Sequence, residues 1–404
     1  MSLPLEGLRV LDLSRVLAGP VCTQILGDLG ADILKIERPG QGDDTRKWGP
    51  PFMAGKDGED TSESAYYLSC NRNKRSVTID IAKPEGQKLV RRLLAKSDVL
   101  IENFKVGGLE KYGLGYDDLK KEFPALVYCS ISGFGQNGPL AQEPGYDFLA
   151  QALGGLMANT GTPEGEPVKA GVALSDVMTG LYGTIGILTA LHSRNATGKG
   201  QRVDLSLLDV TLAGMTNIAQ YYLTSGQNAP RQGNAHATIV PYQSFKTQDG
   251  HVVVAIGNNG QFEKFCAFLG QESWAEDPLF STNAARVKNR EQLVPMIADI
   301  IAKKPTEHWV NALRDVDIPV APVNTISQAF DMEQIQARGM KIAMDHPLSG
   351  EDIPLVGSPL KLSETPVSYR QAPPTLGQHT HEVLKDILDM KEADMERLEN
   401  QGVI

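Results

Sequence analysis

Leu8-Arg-Val-Leu-Asp-Leu13, Val21-Cys-Thr-Gln-Ile-Leu-Gly-Asp-Leu-Gly30 and Ile33-Leu-Lys-Ile-Glu37 follow one another near the start of the chain, and their order decides the fold. The first and third are short aliphatic runs of strand length; the second has helix length and ends on glycine. Outward from them the pattern continues. Ser76 to Ile81 reads as a strand, and Pro84 to Lys96 as a helix with proline in its first turn. Val99 to Glu102 and Leu126 to Ser132 read as further strands. Strands alternating with helices predict a parallel sheet covered on both faces, an α/β fold with a large Rossmann-like domain. The polar, turn-rich run from Thr224 to Ala235 reads as a linker. After it, Tyr242 to Ile256 carries a strand-turn-strand signal with Asp249-Gly250 at the turn, and helical patterns follow at Gln261–Leu269, Arg290–Ala302 and Thr306–Arg314. A second linker is read over 318–345, and terminal helices at Glu382–Leu388 and Ala393–Gln401. The expected organisation is a large α/β domain from 1–223, a smaller α+β domain from 236–325, and a segment from 326–404 that returns to the first.

A chain of 404 residues is too long for one simple core and fits two or three domains. Its 41% apolar and 22% charged residues are ordinary for a soluble globular protein. A net charge of −10 disfavours nucleic acid and anionic membrane surfaces as partners, while leaving room for a local basic pocket. Cys22, Cys70, Cys129 and Cys266 lie far apart without a C-x-x-C pair, which suits neither zinc nor a disulfide framework and fits a reducing compartment. No secretory pattern opens the sequence, and no apolar stretch approaches the ~18 residues that cross a bilayer. These features predict a cytoplasmic protein.

The segment Lys169-Ala-Gly-Val-Ala-Leu-Ser-Asp-Val-Met-Thr-Gly-Leu-Tyr-Gly-Thr-Ile-Gly-Ile-Leu188 sets one carboxylate, Asp176, ahead of an apolar, glycine-dotted run with no further charge before Arg194. Ser175 and Asp176 are helix-starting residues, so Asp176 reads first as a cap held on the positive end of a helix. The same placement suits a nucleophile towards an activated acyl group. Gly133-Phe-Gly-Gln-Asn-Gly138 follows a strand and matches G-x-G-x-x-G, but Pro139 and Pro144 interrupt the helix a dinucleotide site requires, and the ribose position falls near Asn159. A mobile glycine loop is the better reading. Neither H-E-x-x-H nor G-x-S-x-G occurs, so no metal site and no serine nucleophile elbow is expected. In Asn71-Arg-Asn-Lys-Arg75, Arg72 and its neighbours could hold phosphates or form a solvated face; Arg38, closing a strand, could meet a purine or phosphate or a nearby acid.

Together Leu5-Glu-Gly-Leu-Arg-Val-Leu-Asp-Leu13, Ala18-Gly-Pro20, Gly30-Ala-Asp-Ile-Leu-Lys-Ile-Glu-Arg-Pro39, Asn73-Lys-Arg-Ser76, Glu102-Asn-Phe104, Gly198-Lys-Gly-Gln201 and Leu376-Gly-Gln-His-Thr380 resemble the class III CoA-transferase (CaiB/BaiF) family over essentially the whole chain. The resemblance implies transfer of CoA from an acyl-CoA to a free carboxylate through an aspartyl-acyl anhydride and an aspartyl-CoA thioester. No permanently bound cofactor, ATP or metal is needed, since CoA is itself a substrate. It also implies an interlocked homodimer. Asp176 stands at the nucleophile's position, Arg38 where the adenine or its phosphate is met, Asn103 and Phe104 along the nucleotide channel, and Lys111 where the family often has arginine. Ala82 replaces a family lysine, with Lys83 one place later and therefore on the opposite strand face. Tyr146 stands where 2-methylacyl-CoA racemases, the alternative within the family, carry histidine; a phenol is a poor proton shuttle near neutrality. A tyrosine there closes over the substrate in the transferases. A regulator that binds acyl-CoA without chemistry is the other alternative.

The stretches 42–52, 235–245 and 257–260 look closest to the members that exchange CoA between succinyl-CoA and glutarate, which implies a C4 to C6 dicarboxylate acceptor. Its distal carboxylate needs a cation, and the candidates are Arg15, Arg46 and His236.

Overall fold

Six strands, β1 (Arg9–Asp12), β2 (Asp32–Glu37), β3 (Lys74–Thr78), β4 (Val99–Glu102), β5 (Val127–Ser132) and β6 (Arg202–Ser206), form one sheet in the order β3-β2-β1-β4-β5-β6. Every neighbouring pair is parallel. This is the doubly wound order whose direction reverses between β1 and β4. The computed structural model describes residues 3–404.

Period-two alternation sends neighbouring strand residues into two different cores. Val10, Ile33, Val99, Ile101, Val127 and Cys129 pack beneath α1 (Ala18–Asp28) and, further along, α5 (Leu174–Thr197). Leu11, Leu34, Val77 and Leu100 face α2 (Pro84–Leu94), α3 (Tyr116–Glu122) and the helices Thr380–Leu388 and Glu392–Asn400. Each such fully buried aliphatic side chain contributes roughly 1.5–3 kcal/mol. Beyond the sequence reading, β6 forms the sheet's edge. Its RVDLS run is only half buried, so it lacks the continuous apolar signature of the central strands. Two short antiparallel hairpins, 52–54 with 60–64 and 341–344 with 353–356, were also not legible.

The chain divides into a first unit of 1–156, 169–220 and 334–404 and a second of 157–168 and 221–333. The sequence reading kept 1–223 undivided. Met157–Val168 belongs with the second unit because the Arg231 guanidinium donates to the carbonyls of Ala158, Thr162 and Gly165, and Gly233 N to that of Gly161. The rest of that unit is a three-stranded antiparallel sheet of Tyr242–Lys246, His251–Ala255 and Val320–Pro322, covered by helices that include Asn259–Phe268, Arg290–Ile301 and Thr306–Arg314.

The helix α5 corrects one expectation. It is 24 residues long and, by length and composition alone, apolar enough to cross a membrane. In this fold its glycines have another use. A Cβ on Gly180 would lie 2.8 Å from the Ala18 carbonyl oxygen, and one on Gly183 would lie 3.2 Å from Cys22 Sγ. The glycine-dotted run therefore lets α5 lie directly against α1, and this close approach carries Asp176 to the carboxyl edge of the sheet.

Candidate active site

The crevice at a strand-order reversal is where an open α/β sheet binds its ligand. Here the segments leaving β1 and β4 are stitched across it. Asn103 Oδ1 accepts from Arg15 N at 2.9 Å, and its Nδ2 donates to Arg15 O at 2.7 Å. Two cavities open beside this clamp. One, of about 490 Å³, is walled by Arg15 to Ala18, Trp48, Asn103, Gly133, Tyr146, Asp147 and Asp176. The other, of about 290 Å³, lies among Ile36, Arg38, Ile79, Ala82 and Tyr112. Arg15, Asp44 and Phe104 line both, so the cavities are two chambers of one groove.

Asp176 is the third residue of α5 and faces the larger chamber. It is not the cap that the sequence suggested. The helix is capped from a distance by Asp147, at the start of α4 (Asp147–Leu153), whose Oδ1 accepts from Ser175 N at 2.8 Å and Asp176 N at 3.3 Å. The only sign of this in the sequence is an aspartate in the Gly145-Tyr-Asp147 turn. The Asp176 carboxylate itself has no hydrogen-bond or ion-pair partner among the described residues. Burial, followed by the neighbouring Asp147 charge, pushes its pKa up to about 7. The helix terminus was expected to keep this group readily ionised; desolvation and a like charge outweigh it. The result is a basic, weakly solvated carboxylate, a condition that favours nucleophilic attack.

The chamber wall around it allows little variation. Gly133 and Gly145 touch backbone to backbone, and a Cβ on Gly133 would fall 2.4 Å from Gly145 Cα. The loop between them has Gly135 and Gly138 at positive φ and does not open a helix, in keeping with the rejected dinucleotide reading. Trp48 meets Tyr66 edge to face at 5.3 Å between centroids. Burial and the nearby Asp176 charge raise the Tyr66 phenol to about 12, which leaves it a neutral neighbour. Nothing in the Ala65-Tyr-Tyr67 run announced this position.

Of the residues singled out in the sequence, Arg15, Arg38, Asn103, Phe104, Tyr146 and Asp176 line the groove. Lys111 is exposed and lies 4.7 Å from the centre of the Tyr112 ring, outside the smaller chamber that Tyr112 lines. Ala82 lines that chamber, whereas Lys83 Nζ turns away to the carbonyls of Gln401 and Gly402 at 2.5 and 2.8 Å.

Two expectations are corrected. Arg46 is buried, and its guanidinium is fully engaged by Glu37, Glu63, Tyr67 Oη and Pro374 O. It has no donor left for a substrate carboxylate. Arg72 is likewise buried, paired with Asp28 at 2.6 Å and bonded to Val356 O, so it cannot hold a phosphate; Lys74 and Arg75 of the same cluster face Asp12 and Asp32. His236 belongs to the second unit, where its Nδ1 accepts from Thr238 N, and Asn258 of the 257–260 stretch caps the helix Asn259–Phe268.

Comparison with known proteins bears on this geometry. The family model described as CoA-transferase family III matches residues 5–380. A Mus musculus protein named succinyl-CoA:glutarate CoA-transferase is 44% identical over 401 residues, 99% of this chain and 90% of that protein. A succinate–glutarate CoA-transferase of Agrobacterium fabrum is 45% identical over 384 residues, 95% of this chain and 96% of its own. The crystal structure of a CaiB/BaiF family protein from Brucella suis superposes with a TM-score of 0.87 at 44% identity, covering 96% of this chain and all of the other.

Proposed function

From the premise that this chain belongs to CoA-transferase family III, and is an enzyme of that class, we propose that it moves CoA from succinyl-CoA to glutarate or a closely related C4–C6 diacid, with Asp176 as the covalent nucleophile. The names of the relatives support the substrates. The observation that carries the mechanism is the Asp176 carboxylate, half-buried, without a partner among the described residues, and facing a chamber that continues into a second one.

The exchange balances without water, metal or nucleotide hydrolysis. The Asp176 carboxylate attacks the thioester carbonyl, and the C–S bond breaks to give a mixed anhydride and CoA thiolate. The thiolate attacks the aspartyl carbonyl, forming an aspartyl-CoA thioester and releasing succinate. The carboxylate of the acceptor attacks that thioester, giving a new anhydride and thiolate. Attack of the thiolate on the acceptor's acyl carbon then yields its CoA ester and frees Asp176. Each step exchanges one activated acyl bond for another, so little net free energy is needed. The two anhydrides and the thioester are all open to hydrolysis, and Tyr146, two-thirds exposed at the chamber's rim beside Gly145, would cover them.

In the smaller chamber, Arg38 has among the described residues a single weak side-chain hydrogen bond, to Gln41 at 3.3 Å, and suits a CoA phosphate or adenine. With Arg46 consumed by internal acids, Arg15 is the cation for the acceptor's distal carboxylate. Its guanidinium is half exposed, pairs with Asp44 at 2.8 Å, and stands where the two chambers join.

A second copy of the chain would cover the exposed Leu181, Tyr182 and Ile185 of α5, with Leu212 of α6 (Leu207–Gly214) and Phe148, Leu149 and Leu153 of α4. So much exposed apolar surface favours a homodimer.

The test is to incubate the protein with succinyl-CoA and glutarate and follow glutaryl-CoA by mass spectrometry, for wild type and Asp176→Asn. Transfer should vanish in the variant, by more than about a thousandfold, with CoA still bound. Borohydride should inactivate the wild type only when acyl-CoA is present. Full exchange by Asp176→Asn would rule out the nucleophile.

A further inference from the structure

Val16 has a φ of 71°, in the left-handed region that a β-branched residue enters only at a steric cost. It lines the Asp176 chamber together with Leu17 and Ala18, where the chain turns from β1 into α1. The bonds that hold it there can be traced. Ser14 N donates to Asp12 Oδ1 at 2.9 Å, and Ser14 O accepts from Lys35 Nζ at 3.0 Å. Arg15 is gripped at both backbone groups by Asn103. Val16 N donates to the Asp43 carboxylate, 3.2 Å from one oxygen and 3.3 Å from the other. Asp43 also accepts from Lys35 Nζ at 2.8 Å, Thr45 N at 3.0 Å and Thr45 Oγ1 at 2.8 Å. The Lys35 and Asp43 side chains are fully buried.

Stability alone does not account for this arrangement. Burying an ion pair exacts a desolvation cost that an apolar pair of similar shape avoids, and glycine would occupy the Val16 conformation without strain. What the pair adds is rigidity. Burial on its own would lower the Lys35 pKa, but Asp43, Asp12 and Glu37 raise it; burial would raise the Asp43 pKa, but Lys35 leads in bringing it down to about 2. Both groups therefore stay charged near neutral pH.

We propose that Lys35 and Asp43 are positioning residues for the transfer reaction: the ion pair clamps Val16 in its left-handed turn and so fixes the chamber wall against which the acyl group meets Asp176. Neither residue lines that chamber; Asp43 adjoins the smaller one, but its side chain is fully buried, and the pair acts through the Val16 backbone. The proposal rests on the assignment of Asp176 as nucleophile.

The test is a cycle of kinetic measurements with Asp43→Asn and Val16→Gly. In the parent, Asp43→Asn should lower kcat by about tenfold or more while moving the acyl-CoA KM less than about threefold, because the amide has one acceptor oxygen where the carboxylate had two. In the Val16→Gly background the same change should lower kcat less than about threefold, since glycine needs no clamp to hold φ above zero. Equal losses in the two backgrounds, a loss confined to KM, or an unchanged kcat would each overturn the proposal. Should Asp43→Asn fail to fold, the pair Lys35→Met with Asp43→Asn leaves no unpaired buried ion and takes its place in the same cycle. Failure of the nucleophile assignment is seen separately, as retained exchange in Asp176→Asn, and does not alter the coupling between positions 43 and 16.

Discussion

The carboxyl edge of the sheet carries charge in two opposite ways. On the β2 side, Asp12, Lys35, Glu37, Asp43, Arg46, Glu63 and Lys74 are buried and answer one another, acid against base. Across the crevice, Asp176 is half-buried beside a second carboxylate, with no cation among the described residues to meet it. The first region resembles a binding site in composition and is scaffolding; the second is one residue and is the proposed seat of the chemistry. Taking charge out of water, wholly or in part, is expensive in both places. Where the cost is met by partners, the charge fixes geometry. Where it is left partly unmet, the group's basicity rises and it becomes available to a substrate.

This contrast can be broken most directly at Arg46. Arg46→Ala leaves Glu37 and Glu63 buried beside each other without their shared cation, and should destabilise the protein by about 3–5 kcal/mol in urea unfolding. If stability holds and only discrimination among acceptor acids suffers, Arg46 belongs to the reactive region after all.

Asp176→Asn sharpens the contrast from the other side, because removing an unmet charge should stabilise. The sign follows from linkage. The folded-state pKa, about 7, lies above the ordinary 3.8, so between those values the folded protein holds the extra proton and its stability falls as pH rises. Asp176→Asn should thus be more stable than wild type by roughly 2–4 kcal/mol at pH 8, a difference that fades towards pH 4. The same titration makes wild-type kcat/KM for acyl-CoA climb as pH rises through about 7, where the carboxylate forms. A thermal-melt difference that is independent of pH would show that Asp176 is not held in an unfavourable charge state.

The smallest effect is expected at Arg15, whose ion pair with Asp44 is half exposed. Arg15→Ala should cost little stability, within about 1 kcal/mol. It should reduce the preference for glutarate over valerate by roughly tenfold, since only the diacid has a second carboxylate to lose. Equal losses with both acceptors would move Arg15 into the scaffold.

The sequence by itself determined the alternation of strands and helices from Leu8 onwards, down to the bounds of β4, because a strand's period and a helix's first turn are written in neighbouring residues. It also singled out Asp176, since the absence of charge around a residue is a local property. The edge strand β6 escaped it, as a half-exposed strand has little apolar pattern to read. The tertiary structure alone decided what each charge does. Arg46 and Arg72 look like ligand-binding cations until Glu37, Glu63 and Asp28 are found against them, the last 44 positions away in the chain from its partner. Asp147, in an unremarkable turn, becomes the cap of a helix that begins 27 residues later. Coulomb and desolvation energies depend on distance through space and on exclusion of water. Neither is fixed until the chain has folded, so the sequence could name the charged residues but not separate the paired from the free.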